Sequence, residues 1–184
     1  MHALAKSLGH LAASALVVIA VGAPALAGPA KAPFGDKVDR LITSYDRASP
    51  YIGTAGLLKA GGVAEAKRLG FVAILDLLGP DEAGGVAAER AAAKAAGLRF
   101  FHIPVTTRAP TWDQVRAFAP LIEDRANYPI LVHCETANRV GAMWAMYRVM
   151  RGVDAQVAIE EGRAIGLTSR EGAVRKRLAS MPNE

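Results

Sequence analysis

Residues 129–141 read PILVHCETANRVG and combine a strand, a tight loop and a helix start. The apolar run over 128–133 predicts a buried strand of a parallel sheet. Cys134 follows this strand directly, and Arg139 opens a helix predicted to continue to Met150. Open α/β sheets bind ligands outside the carboxyl ends of their strands, so we expect Cys134 to lie in a binding site.

The chain on either side of this segment alternates strand and helix signals. Further strands are predicted over 51–54, 71–77 and 100–105. Helices are predicted over 62–69, 86–96 and 111–126, with two more that begin at Asp154 and at Thr168 or Ser169. This alternation predicts an α/β fold with a mainly parallel sheet flanked by helices.

The composition of the chain excludes several classes of protein and of binding site. The 184 residues suit one domain or a small pair of domains, and a hydrophobic content of 52% excludes a disordered chain. The net charge is +5, but the basic C-terminal segment lacks interleaved aromatic residues, so we expect no nucleic-acid partner. The single Cys excludes an intramolecular disulfide and a zinc site with several Cys ligands. Nothing in the sequence calls for a cofactor or a metal.

The first 27 residues have the pattern of an export signal. Lys6 supplies the positive start, residues 11–21 form a short apolar run, and Ala25-Leu26-Ala27 is a small-x-small cleavage site. The apolar run is well short of the roughly 20 residues that a spanning helix needs. We therefore predict cleavage after Ala27 and an exported protein, periplasmic or secreted, with no stable membrane span after cleavage.

The remaining chain divides into two parts. Residues 28–37 are rich in Pro, Gly and Ala and predict a flexible lead-in, and residues 38–184 predict one domain. An unpaired thiol in an exported protein invites oxidation unless the thiol is buried or reactive by design. The position of Cys134 beside a helix start favours a reactive thiol.

The chemistry of the loop follows from its residue types. The helix N-terminus and Arg139 both favour the thiolate of Cys134, which is the nucleophilic form. Arg139 can bind two oxygens of a tetrahedral oxyanion, and His133 is expected to orient the loop by hydrogen bonds to the backbone. Loop amides can form an anion nest, and the candidates for phosphate binding are Glu135, Thr136, Ala137, Asn138, Arg139 and Val140. The alternative is a buried structural Cys followed by a capping Arg.

Further motifs accompany the loop. Gly70-Phe71 opens a strand that ends in LDL at 75–77, AAGL at 95–98 precedes HIPV at 102–105, and GAMW occupies 141–144. Over about 51–167 the chain resembles cysteine phosphatases of the dual-specificity and tyrosine type. It is most similar to a bacterial phosphatase-like group that includes the phosphatase domain of beta-lactamase-hydrolase-like proteins.

This resemblance implies a cysteine-phosphatase-like fold and metal-free hydrolysis of phosphate monoesters through a cysteinyl phosphate. Cys134 carries over as the nucleophile and Arg139 as the residue that binds the phosphate. The four residues between them make the loop one residue shorter than the standard phosphatase loop, although the bacterial group shares this spacing. Single-domain rhodaneses have a similar spacing, so a sulfurtransferase with a Cys134 persulfide is one alternative. A non-catalytic phosphate-binding module is another.

The general acid is the second departure from the standard pattern. Phosphatases of this type carry an Asp in the loop that corresponds to residues 106–112, where this chain has no carboxylate. Asp113 is the first carboxylate after that loop and is the candidate general acid; its alternative role is to stabilise the first helical turn. The sequence predicts a phosphorylated substrate without identifying its class.

Overall fold

The computed structural model describes residues 28–82 and 85–181. The export signal predicted over 1–27 lies outside these residues. Within the described segments, none of the helices combines the length and the apolar character that a membrane crossing requires.

In the part of the chain that the structure describes, five strands form one sheet in the order β1-β2-β5-β3-β4. Only β1 runs antiparallel, against β2; the other neighbours are parallel, as predicted. The edge strand β1 was not predicted, because its sequence DRAS has no apolar alternation and remains partly exposed. The strands are β1 Asp46–Ser49, β2 Ile52–Ala55, β3 Ala73–Asp76, β4 Arg99–His102 and β5 Ile130–His133.

Six α-helices accompany the sheet in the described part of the chain. They are α1 Gly62–Arg68, α2 Val86–Ala95, α3 Trp112–Glu123, α4 Asn138–Met150, α5 Ala155–Ala164 and α6 Glu171–Ala179. Thr111 begins α3 with a reciprocal capping box, in which its hydroxyl and the side chain of Gln114 each accept a backbone N–H. The predicted continuation of α3 to residue 126 is wrong, because the helix ends at Glu123 and a short 3₁₀ turn follows over Arg125–Asn127.

The alternation of side chains along β5 places apolar residues on both faces of the sheet. Ile130 and Val132 pack in one cluster with residues of α3 and α4, and Leu131 packs in a second cluster with residues of α1 and α2. Because β5 lies between β2 and β3, its last residue is in register with the last residues of both neighbours. Three parallel strands therefore end together at the point where Cys134 begins the next loop.

Candidate active site

Cys134 is the first residue after β5 and is almost fully buried, with 1% of its surface exposed. Its backbone N–H donates to the carbonyl oxygen of Ala55 at 3.3 Å. On the other side of the loop, the N–H of Leu57 donates to the carbonyl oxygen of Glu135 at 2.9 Å. The segment after β2 thus fixes the start of the Cys134 loop.

The loop turns through a left-handed residue. Ala137 has φ 64°, a conformation that is costly for a residue with a Cβ. Gly166 lies directly against Ala137, and a Cβ at Gly166 would come within 2.6 Å of the Ala137 Cβ. The missing side chain at Gly166 therefore makes room for the turn, and no local sequence signal identified this role.

The amides at the start of α4 point to anion binding. The first hydrogen bond of this helix joins the N–H of Gly141 to the carbonyl oxygen of Ala137 at 2.9 Å. The amides of the preceding turn, Asn138 to Val140, are the donors that every helix start leaves without a partner inside the helix. They are part of the predicted anion nest and form the positive end of the α4 dipole.

The side chain of Asn138 joins the loop to the connection between α5 and α6. Its Oδ1 accepts the N–H of Thr168 at 2.9 Å, and its Nδ2 donates to the hydroxyl oxygen of Ser169 at 2.8 Å. The sequence analysis assigned a role only to the backbone amide of Asn138. It did not predict that the Asn138 side chain links two loops.

Arg139 binds a carboxylate in the described structure. Its guanidinium donates to both oxygens of Glu82, at 2.9 and 2.7 Å, and to the carbonyl oxygen of Leu77 at 3.0 Å. The hydrogen bond from Arg139 lowers the pKa of Glu82, which is therefore ionised at neutral pH. Leu57, Glu82, Glu135 and Arg139 line a cavity of about 220 Å³. Glu82 and Arg139 lie 57 residues apart, so no local sequence signal identifies this contact.

His133, the last residue of β5 and the residue expected to orient the loop, has a carboxylate as its side-chain partner. It is fully buried, and its Nε2 forms a 2.6 Å hydrogen bond with Oε1 of Glu89 from α2, while Asp76 Oδ1 lies 3.8 Å away. Burial opposes the charged imidazolium, but the hydrogen bond and charge of Glu89, together with Asp76, raise the pKa of His133. The residue before Cys134 is thus held by a buried carboxylate that the sequence did not reveal.

Asp76, Glu89 and His133 form a buried cluster whose possible ligand atoms lie within 4.8 Å of one another. In residues 28–82 and 85–181, no other group of three His, Cys, Asp or Glu side chains has this arrangement. The short contact between His133 and Glu89 fills the space that an ion would need, because donor atoms around a bound zinc stand about 3 Å apart or more. Asp76 also accepts the N–H of Leu78 at 2.7 Å, and burial raises its pKa. We assign the cluster as a hydrogen-bonded one that supports the strand ends.

Asp113, the candidate general acid, lies at the surface. Its side chain is 89% exposed and pairs with Arg116 at 2.6 Å within the first turns of α3, and it does not line the cavity at Arg139. The loop before α3 contains Arg108 and is joined by two hydrogen bonds to the connection between α5 and α6. Arg108 donates to the carbonyl oxygen of Ser169 at 3.1 Å, and Arg170 donates to that of Thr107 at 2.6 Å.

Comparison with known proteins identifies the family of this chain. Residues 52–178 match the family described as DSP-PTPase phosphatase fused to NAD+ kinase. Among curated proteins, no relative gives a significant match.

Solved structures share the fold. TpbA of P. aeruginosa is 27% identical, with a TM-score of 0.58 over 77% of this chain and 92% of that chain. The core catalytic domain of the PP-IP phosphatase SIW14 from S. cerevisiae, solved in complex with citrate, is 16% identical, with a TM-score of 0.61 over 77% of this chain and 86% of that chain. With the family match covering more than half of its residues, this chain belongs to the dual-specificity, protein-tyrosine-phosphatase-like family of phosphatases.

Proposed function

We propose that this phosphatase hydrolyses phosphate monoesters through a cysteinyl-phosphate intermediate on Cys134. The observation that carries the proposal is the paired hydrogen bonding to the carboxylate of Glu82 by Arg139, which lies in the first turn of the helix after Cys134. A carboxylate presents two oxygens in nearly the geometry of two phosphate oxygens, so it stands in for the substrate anion.

In the first step, the thiolate of Cys134 attacks phosphorus. The S–P bond forms while the bond from phosphorus to the ester oxygen breaks, and the ester oxygen leaves with the electron pair of that bond. Arg139 and the amides at the start of α4 hold the remaining phosphate oxygens, whose charge they stabilise as the transition state forms. Glu82, which is bound to the same guanidinium, competes with the substrate for Arg139.

In the second step, water attacks phosphorus of the cysteinyl phosphate. A P–O bond forms, the S–P bond breaks, and the electron pair returns to sulfur as the thiolate, while the proton of the water passes to solvent. Inorganic phosphate is released with the same oxygens held by Arg139. No metal is needed for either step.

The leaving group decides the rate of the first step. Asp113 pairs with Arg116 and is not among the residues that line the cavity, so we expect the ester oxygen to depart without a proton from this residue. Aryl phosphates, whose oxygens leave readily as phenoxides, are therefore the preferred test substrates, and alkyl phosphates are expected to react more slowly.

Phosphate release from an aryl phosphate, measured with the reduced protein and with Cys134→Ser and Arg139→Lys, tests the proposal. Turnover should disappear in Cys134→Ser and fall by at least about a hundredfold in Arg139→Lys, because Lys cannot form the paired hydrogen bonds. Unchanged turnover in Cys134→Ser would overturn the mechanism. No turnover in the folded, reduced protein would favour sulfur transfer to cyanide or anion binding alone, which the same preparation can be assayed for.

We also propose that the protein is exported. The apolar run and the small-x-small site before Gly28 support this, as argued from the sequence. N-terminal sequencing of the protein from a periplasmic extract should give a chain that begins at Gly28. Recovery of the intact N-terminus in the cytoplasmic fraction alone would overturn the proposal.

A further inference from the structure

We propose that Arg170 forms a second anion site beside Cys134 and Arg139, and that the preferred substrate carries a second phosphoryl group near the scissile one. The inference rests on the proposed function and adds a substrate class to it. It follows from the position of Arg170, its lack of an ion-pair partner and the charges around it.

The fold holds Arg170 at the site. Asn138 of the catalytic loop binds Thr168 and Ser169 through its side chain, and Arg170 is the next residue. The guanidinium of Arg170 reaches across to the carbonyl oxygen of Thr107, in the loop before α3. Three loops therefore meet around Arg170, which is half-buried between them.

Arg170 differs from its neighbours in charge pairing. Arg163 and Arg175 both form ion pairs with Glu171, at 2.7 and 2.9 Å. In the described segments, no carboxylate comes within ion-pair distance of Arg170, and the nearby Glu82 is bound to Arg139. Burial and the positive charge of Arg139 lower the pKa of Arg170. A half-buried cation without a counter-ion is stabilised by an arriving anion.

Further basic residues lie near Arg170, on the side that faces the loop before α3. Arg108, in the loop before α3, donates to the carbonyl oxygen of Ser169, the residue before Arg170. A second cation therefore lies close to Arg170. Thr107 and Arg108 also line a depression of about 260 Å³, together with Ala109, Ala173, Lys176, Arg177 and Ser180. Several cations therefore lie between Arg139 and this depression, and their total positive charge exceeds what a single phosphate can neutralise.

Only one phosphate can occupy the loop amides and Arg139 at the reaction centre. A second phosphoryl group on the same molecule would be directed to Arg170, where a guanidinium can donate paired hydrogen bonds to it. A compound with one phosphate would leave this cation unused. The chemical class that fits is therefore a phosphate ester or anhydride with two phosphoryl groups close together.

Binding of inorganic phosphate, pyrophosphate and triphosphate to the full chain tests this inference without requiring turnover. In pyrophosphate the second phosphoryl group is attached directly to the first, and triphosphate adds a third group farther away. They should bind at least about tenfold more tightly than phosphate, which corresponds to about 1.4 kcal/mol. Calorimetry or displacement of a bound oxyanion gives the dissociation constants.

The variant Arg170→Gln keeps an N–H donor for Thr107 but removes the charge, and Arg170→Lys restores the charge. Arg175→Gln is the matched control, because it removes a cation of α6 that is already paired with Glu171. We expect Arg170→Gln to abolish most of the preference for the longer anions while phosphate affinity changes less than about threefold. Arg170→Lys should keep part of the preference, and the control should keep all of it.

The same preference in Arg170→Gln as in the wild type, with an unchanged melting temperature, would overturn the inference. So would equal affinities of the wild type for phosphate and pyrophosphate. Selective binding of the longer anions without hydrolysis of any phosphate ester would support the second site and contradict the proposed catalysis. The two proposals can therefore fail separately.

Discussion

Glu82 and Arg139, which lie 57 residues apart in the chain, form a two-pronged ion pair with contacts of 2.9 and 2.7 Å. Arg139 is 5% exposed in this pair and Glu82 is 35% exposed. The guanidinium that should bind the phosphate of the substrate is thus occupied by an internal anion. We expect Glu82 to compete with phosphate for Arg139, because both anions would accept hydrogen bonds from the same guanidinium.

The first prediction concerns this competition. Glu82→Gln removes a negative charge from the cavity, and we expect phosphate to bind about fivefold more tightly, a gain of about 1 kcal/mol for a partly exposed pair. The inhibition constant of phosphate against aryl phosphate hydrolysis measures this. Asp81→Asn, a change at the exposed neighbouring residue, should leave the constant unchanged. Weaker phosphate binding in Glu82→Gln would show that Glu82 positions Arg139 rather than competing for it.

The second prediction concerns pH and the buried pair of His133 and Glu89. Because the folded protein raises the pKa of His133 above its ordinary 6.5, this group stabilises the fold fully below that value. The stabilisation is lost as pH rises through the raised pKa. Asp76, whose pKa burial also raises, acts in the same direction, and His102 is the other titratable group that acts on Asp76. The free energy of unfolding should therefore fall as pH is raised above about 6.5.

Glu89→Gln tests the origin of this slope. Loss of one partner from a buried pair should cost about 3 kcal/mol and should reduce the pH dependence, because Glu89 contributes more than Asp76 to the raised pKa of His133. Urea denaturation at several pH values gives both quantities. Glu65→Gln is the control, since its partner Arg68 is largely exposed. An equal slope in wild type and Glu89→Gln would refute this role of Glu89.

The third prediction concerns Gly166. A Cβ at this position would come within 2.6 Å of the Ala137 Cβ, and its φ of +115° is itself unfavourable for Ala. Gly166→Ala should destabilise the protein by about 1–3 kcal/mol and, because Ala137 lies in the catalytic loop, should reduce turnover as well. Gly172→Ala is the matched control, because Gly172 lies in α6 with open space at its Cβ. That change should raise the melting temperature slightly and leave turnover unchanged.

The fourth prediction concerns the general acid. Asp113→Asn should leave the turnover of both aryl and alkyl phosphates within about twofold of wild type, because this exposed carboxylate pairs with Arg116 rather than facing the cavity. The pH–rate profiles of the two proteins should coincide. A selective loss of alkyl phosphate turnover in Asp113→Asn would assign the acid to this residue after all.

Local sequence predicted the parts of the fold that depend on apolar runs. The strands β3 and β5 are buried on both faces, so their sequences AILD and ILVH within longer apolar runs were sufficient. The edge strand β1 escaped prediction because its polar residues pair through the backbone with β2. The end of α3 was also misplaced, since Asp124 caps the following 3₁₀ turn by accepting the N–H of Ala126.

The site was predictable only where its residues are close in sequence. Cys134 and Arg139 belong to one loop, and their roles follow from a strand end and a helix start. Glu82, Glu89 and Gly166 reach the loop through the fold: His133 and Glu89, for example, lie 44 residues apart. A carboxylate in an apparent surface turn and a glycine in an ordinary loop give no local signal of such contacts.

Rapid mixing of the reduced protein with an aryl phosphate, followed by acid quenching and mass measurement, examines the nucleophile itself. We predict that the wild-type chain gains the mass of one phosphoryl group and that the added group maps to Cys134. Cys134→Ser should gain no such group and release no phosphate. Phosphate release by Cys134→Ser, or a phosphoryl group attached to another residue during turnover, would contradict a mechanism through Cys134.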